Sequence, residues 1–106
     1  MKGLAHGQIW WAEIDKIRPV LVLTRATVAP LLSRVVVAPV TTVAREIPTE
    51  VKLGAAEGVV EGSVANFDNL QLLPVATLLQ RAGRLSDDRW IECCAAMRHM
   101  MACRSA

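Results

Sequence analysis

The sequence predicts a mainly β domain, a small barrel with one C-terminal helix. Three observations carry this. Short runs of β-forming residues recur at close spacing, roughly six of them, between Gly7 and Leu85. The first two runs are joined only by Asp15-Lys16-Ile17, which implies a tight antiparallel hairpin. After Ser86 the pattern changes to apolar residues at helical spacing.

Gly7 to Ile14 reads as the first strand, rich in β-formers and opened by glycine. Adjacent Trp10 and Trp11 point to opposite faces of such a strand, so one enters the core while the other covers a surface. Trp11 is either a packing residue or part of an interface or a stacking platform for bases. Arg18 to Thr24 is the organising stretch. Its run of apolar residues, with Pro19 at the entry, fits a strand buried on both faces. Arg18 cannot follow that run inward unpaired, because a lone buried charge costs several kcal/mol or more. It stays at the rim or binds an anion.

Arg25 to Ser33 is a loop, and Arg34 to Val40 a third strand whose Pro39 implies an edge or an exit. Thr41 and Thr42 follow, then a polar turn over Val43 to Pro48 that contains Arg45 and Glu46. Thr49 to Leu53 alternates, with Thr49, Val51 and Leu53 on one face and Glu50 and Lys52 toward water. Gly54 to Gly62 is a glycine-bearing loop. Ser63 to Leu73 reads as one further strand, in which Asn66, Asp68, Asn69 and Gln71 mark a face that is not ordinary core. Pro74 begins a short turn or helix reaching Leu78, and Gln80 to Leu85 forms a last strand. A helix over about 87–103 is then expected. Ser86 is its candidate N-cap, and Asp87 and Asp88 suit the positive end of the macrodipole. Trp90, Cys94, Met97 and Met101 form its apolar stripe, read as core or, alternatively, as a subunit contact.

The 106 residues form one domain over residues 1–106, able to bury roughly two-thirds of the unfolded surface. With 53% apolar residues a packed core is expected. No apolar run approaches the ~20 residues of a membrane helix, and no signal peptide is expected. Cys93, Cys94 and Cys103 form no CxxC pair. Reduced thiols in a cytoplasmic protein are the expectation, with no metal site and no cofactor. A net charge of +2 excludes an argument for nucleic-acid binding from charge alone. Nine of the twelve cations are arginine, however, the residue suited to bidentate phosphate contacts.

No nucleophile elbow, P-loop or metal-spaced cluster is present. His6 and His99 lie far apart in sequence, and a two-histidine ribonuclease would need both at one site. What remains is Arg18 at the start of one strand and Thr41 and Thr42 at the end of another. If the strands pair antiparallel, these ends meet at one rim, where a guanidinium fork and a hydroxyl suit phosphate oxygens. The alternative is a surface salt bridge at Arg18 and a turn hydrogen bond at Thr41.

Five blocks in order then resemble the MazF/PemK family of toxins. They are Gly7-Gln8-Ile9-Trp10-Trp11, Arg18-Pro19-Val20-Leu21-Val22-Leu23, Val37-Ala38-Pro39-Val40-Thr41-Thr42, Pro48-Thr49-Glu50-Val51 and Asp68-Asn69-Leu70-Gln71. The resemblance spans about Gly7 to Cys103. It implies an SH3-like barrel with a C-terminal helix, a homodimer, and a metal-independent endoribonuclease that cuts single-stranded RNA at short sequences and arrests growth. Messenger RNA is the implied substrate, with transfer and ribosomal RNA as further candidates. A cognate antitoxin threading the RNA groove is the implied partner.

The same resemblance assigns catalysis to Arg18 and Thr41, with Thr42 the weaker choice for the second role. Cleavage would have a ribose 2′-OH attack its own phosphate, giving a 2′,3′-cyclic phosphate and a 5′-OH. Asn66, Asp68, Asn69 and Gln71 are candidates for reading base edges, with Trp10 or Trp11 stacking. The connection Asp15-Lys16-Ile17 is shorter than the mobile loop of many members, so no acidic loop residue carries over. A rival reading is a non-catalytic toxin on the same barrel that poisons DNA gyrase.

Overall fold

A computed structural model describes residues 1–102 of the chain. The strands are β1 (Gln8–Glu13), β2 (Ile17–Val22), β3 (Arg34–Thr41), β4 (Glu50–Leu53), β5 (Ser63–Asn66), β6 (Gln71–Pro74) and β7 (Leu78–Arg84). The helix is α1 (Trp90–Met100). All seven strands belong to one curled sheet, a half-barrel with the path β4-β5-β3-β2-β1-β7, and β6 pairs with β3 off that path. The mainly β class with a terminal helix is borne out.

β1 and β2 form the expected hairpin, from Ile9↔Leu21 to Glu13↔Ile17. Ile17 thus belongs to the strand, and Ile14-Asp15-Lys16 is the connection. Val20, Leu21 and Val22 of β2 are buried on both faces, as their unbroken apolar run requires, while Ile17 and Arg18 at its start are exposed. Leu21 lies in a core with Ile9, Val51, Phe67, Leu85 and Cys93, beneath the helix. Val20 and Val22 lie in a second core with Leu4, Ala12, Val35, Val37 and Leu78. Pro19 is the third residue of the strand rather than its first. It is tolerated because the β2–β3 ladder covers only Val20↔Pro39 to Val22↔Val37, so beyond Val20 that side of β2 carries no rung.

Pro39 does not mark a sheet edge. β3 lies inside the sheet and pairs with β2 on one side, and with β6 and then β5 on the other. The β6 ladder stops at Val37 and the β5 ladder begins at Val40, and Pro39 falls in the gap between them. Proline belongs where a ladder is interrupted.

Further expectations are corrected. Ser63 to Leu73 is not one strand but β5, a turn of 3-10 helix over Phe67–Asn69, and β6. The cause is local: the Asn66 side-chain oxygen accepts the Asp68 N–H at 2.9 Å and caps the turn. The strand count is therefore seven instead of six. The helix is also shorter than 87–103, because a 3-10 turn over Asp87–Arg89 precedes it and Ser86 makes no side-chain cap bond. Its buried residues are Cys93 and Ala96, with Trp90, Met97 and Met100 packed against the same core. Cys94 and Met101 are exposed, and Cys103 lies outside the described residues. Among the described residues no helix is long and apolar enough to cross a membrane.

The helix is tied to the sheet by Arg89. Its guanidinium donates to the Glu92 carboxylate at 2.9 and 2.8 Å and to the Lys52 carbonyl on β4 at 2.6 Å. It also lies 3.5 Å from the buried Glu57 carboxylate, which accepts the Gly54 N–H. The turn carrying Glu57 presses on β7 through two glycines. A Cβ at Gly58 would overlap the Ala82 carbonyl, and one at Gly83 the Glu57 carbonyl.

Candidate nucleic-acid interface

The site follows from the partner switch of β3. Its last pair with β2 is Val20↔Pro39, after which β3 turns to β5 with Val40↔Ala65 and Thr41↔Val64. Continuing the β2–β3 register by two residues would set Arg18 opposite Thr41. The two strands diverge there instead, and a cleft of about 600 Å³ opens between them. Its lining includes Arg18, Thr41, Val43 and Arg45 on one set of walls, and Asn66, Asp68, Asn69 and Gln71 on the facing turn and β6. The split of the predicted long strand matters here. The capped turn bends the chain so that these four polar residues border the opening.

Both features of the plainer alternative are present at the same time. Arg18 Nε lies 3.5 Å from Asp15 Oδ1, an exposed pair that contributes little to stability. Backbone N–H groups of Asp15 and Lys16 and then Arg18 hold the Asp15 carboxyl below its ordinary range. The Thr41 hydroxyl oxygen accepts the Val43 N–H at 3.2 Å. Neither contact removes its residue from the cleft. Because the Thr41 oxygen is used as an acceptor, its proton is left to donate elsewhere.

The polar wall divides into two kinds of residue. Asn66 is 5% exposed and spends its side-chain oxygen on the turn. Asp68 is exposed, but its carboxylate accepts the Thr49 hydroxyl at 2.6 Å, which fixes its direction. The side chains of Asn69 and Gln71 make no hydrogen bond among the described residues. Trp11 and Thr42 do not line the cleft. Trp11 is half-buried in the middle of β1, between Pro19 and Gln80. Trp10 packs against the second core, and its indole N–H donates to Gln8. His6 and His99 are also absent from the lining; His6 Nδ1 accepts the Ala26 N–H, and its ring meets Trp90 at 4.7 Å.

Arg45 is the charged residue of the lining that no sequence motif singled out. Its only signal was a cation in the turn directly after Thr41 and Thr42. Which side of the sheet that turn folds over is a tertiary matter.

A family model described as PemK-like, MazF-like toxin of type II toxin–antitoxin systems matches residues 5–101. The chain belongs to that family. Among its relatives, one from Mycobacterium tuberculosis named endoribonuclease MazF3 is 47% identical over 74 residues, 70% of this chain and 72% of the relative. A second, named probable endoribonuclease MazF5 and from the same organism, is 38% identical over 102 residues, 93% of this chain and 94% of the relative. The solved structure of M. tuberculosis toxin MazF-mt6 superposes with a TM-score of 0.84 at 40% identity, covering 88% of this chain and 94% of that one. These relatives of this MazF/PemK family member bear endoribonuclease or toxin names, and the gyrase-poison alternative finds no support among them.

Proposed function

We propose that this chain is the toxin of a type II toxin–antitoxin pair and acts as an endoribonuclease on single-stranded RNA bound in the cleft. The observation that carries the reading is that Arg18 and Thr41 line one opening although 23 positions separate them in sequence. The endoribonuclease names of relatives with up to 47% identity support it.

The chemistry follows from the two groups. A ribose 2′-OH attacks the adjacent phosphorus in line, the P–O5′ bond breaks, and a 2′,3′-cyclic phosphate and a 5′-OH result. Charge builds on the non-bridging oxygens, so donors set in advance stabilise the transition state more than the ground state. Arg18 supplies a permanent cation, and an arriving phosphate exchanges with its weak, exposed Asp15 contact. Thr41 supplies a neutral donor whose oxygen is oriented by Val43 N–H. A guanidinium does not give up its proton at neutral pH, so its role is electrostatic. DNA, lacking the 2′-OH, is not a substrate by this route.

Asp68, Asn69 and Gln71 are the base-reading candidates on the opposite wall. The fixed Asp68 carboxylate repels phosphate and accepts from an exocyclic amino group such as cytosine N4. A flexible antitoxin segment laid in the same cleft would block the RNA, and a homodimer would set two such clefts on one particle.

The test is cleavage of a defined RNA with both ends mapped. Arg18→Ala and Thr41→Ala each lower cleavage by orders of magnitude at unchanged thermal stability. A 2′-deoxy substitution at the cut site abolishes it. Wild-type rates in both variants overturn the assignment.

A further inference from the structure

We propose that Arg45 is a second phosphate-gripping residue of the cleft, and that Glu50 is the positioning residue that holds it there. The inference rests on the ribonuclease reading and extends it to a residue outside the proposed catalytic pair. Arg45 lines the same cleft as Arg18 but comes from a different element, the connection between β3 and β4. Its guanidinium makes no hydrogen bond or ion pair among the described residues. Arg18, the other arginine of the lining, is paired with Asp15; Arg25, Arg34 and Arg98 are also without a partner among the described residues, but they do not line the cleft.

The backbone beneath Arg45 is fastened at both ends. At its start Val43 N–H donates to the Thr41 hydroxyl. At its end the Glu50 carboxylate accepts Arg45 N–H at 3.0 and 3.2 Å, and Glu46 N–H at 2.9 Å. Glu46 is held at φ 56°, a left-handed conformation that costs a non-glycine residue free energy. An exposed loop carrying such an outlier, latched by a carboxylate from the neighbouring strand, is a loop whose shape is specified. Two arginines from separate elements on one cleft, one of them with its donors unused, can each take a phosphate of a single RNA strand. Arg18 takes the scissile phosphate, and Arg45 takes a neighbouring one. Arg45 therefore acts in binding and leaves the chemical step to Arg18 and Thr41.

The experiment measures binding of a short RNA made uncleavable by 2′-deoxy substitution at the cut site, across a salt series. Steady-state cleavage of the all-ribose RNA runs in parallel. Arg45→Ala is expected to raise Kd about tenfold or more. It lowers the magnitude of the log Kd against log salt slope by about 0.7, the loss of one phosphate contact on a single strand. KM rises, and kcat stays within a few-fold. Arg45→Lys keeps the slope.

Glu50→Ala removes a negative charge beside an anion site, which by charge alone would tighten RNA binding. If Glu50 positions Arg45, binding weakens instead, and Glu50→Ala adds nothing in the Arg45→Ala background. An Arg45→Ala variant with wild-type affinity and slope, from a wild-type protein that cuts RNA, overturns the second grip alone. Tighter binding by Glu50→Ala overturns the positioning role. A wild-type protein that neither binds nor cuts RNA overturns the ribonuclease reading itself. Thermal melts of each variant separate all three from misfolding.

Discussion

Replacing Arg89 with alanine removes the fastening between helix and sheet while leaving the cleft untouched. Three contacts are lost. The bond to the Lys52 carbonyl, at 2.6 Å, is charge-assisted and joins α1 to an element 37 residues away in sequence; such a bond is worth about 1.5–3 kcal/mol. The Glu92 pair is bidentate, but Glu92 is 46% exposed, so it adds only about 0.3–0.5 kcal/mol. Glu57, whose side chain is 10% exposed, keeps its bond to Gly54 N–H but loses the nearby cation. The expected total is about 2–4 kcal/mol, a large share of the ~5–15 kcal/mol of a whole domain.

Urea unfolding at fixed protein concentration reads this directly, and the melting temperature should fall by about 10–25 °C. The pH dependence adds a second reading. Its hydrogen bonds from Arg89 hold the Glu92 carboxyl below its ordinary range. A depressed folded pKa contributes stability above the unfolded value, near ~4.3, and loses it as pH falls through the folded value. The gap between wild type and Arg89→Ala is therefore full at pH 7 and narrows in acid below about pH 4.3. A loss under about 1 kcal/mol at pH 7, or a gap that widens in acid, refutes the reasoning.

Other perturbations read separate parts of the structure. Gly58→Ala forces a Cβ against the Ala82 carbonyl at φ 83° and should cost clearly more than Gly62→Ala, where φ is 89° but the space is open. Gly62→Ala carries only the left-handed term, about 1–2 kcal/mol; equal losses in urea titrations would contradict the packing argument. Burial pushes the Cys93 thiol up to about 12, whereas Cys94 is exposed. Alkylation at pH 8 with peptide mapping should therefore label Cys94 in the folded protein and Cys93 only in denaturant, and labelling at equal rates would contradict this. RNA cleavage should persist in EDTA, and activity lost to the chelator and restored by a divalent ion would count against the proposed chemistry.

The short strands and the first hairpin were legible in the chain itself. Val20, Leu21 and Val22 are apolar without alternation, and such a run is stable only when covered on both sides. Buried Val51 and Leu53 alternate with half-buried Glu50 and exposed Lys52, as a half-covered strand must. These are nearest-neighbour properties, so composition and period report them. The helix was legible as a helix but not in its rotation. Cys93 and Cys94 are adjacent and equally apolar, and only docking onto Phe67 and Leu85 decides that Cys93 goes inward.

The cleft depended on tertiary structure throughout. Arg18 and Thr41 share it because β3 leaves β2 after Pro39 and pairs with β5, a choice made between segments more than 20 residues apart. Asn66, a base-reading candidate from its sequence, lines the cleft but spends its side-chain oxygen on capping a turn, since a side-chain amide takes whichever donor folding brings to it. Arg45 had no local signal, because the turn that carries it could fold over either face. The sequence alone determined which segments become strands and helix, through propensity and burial pattern. The tertiary structure decided which ends meet, because non-local pairing and its register set where a sheet opens into a site.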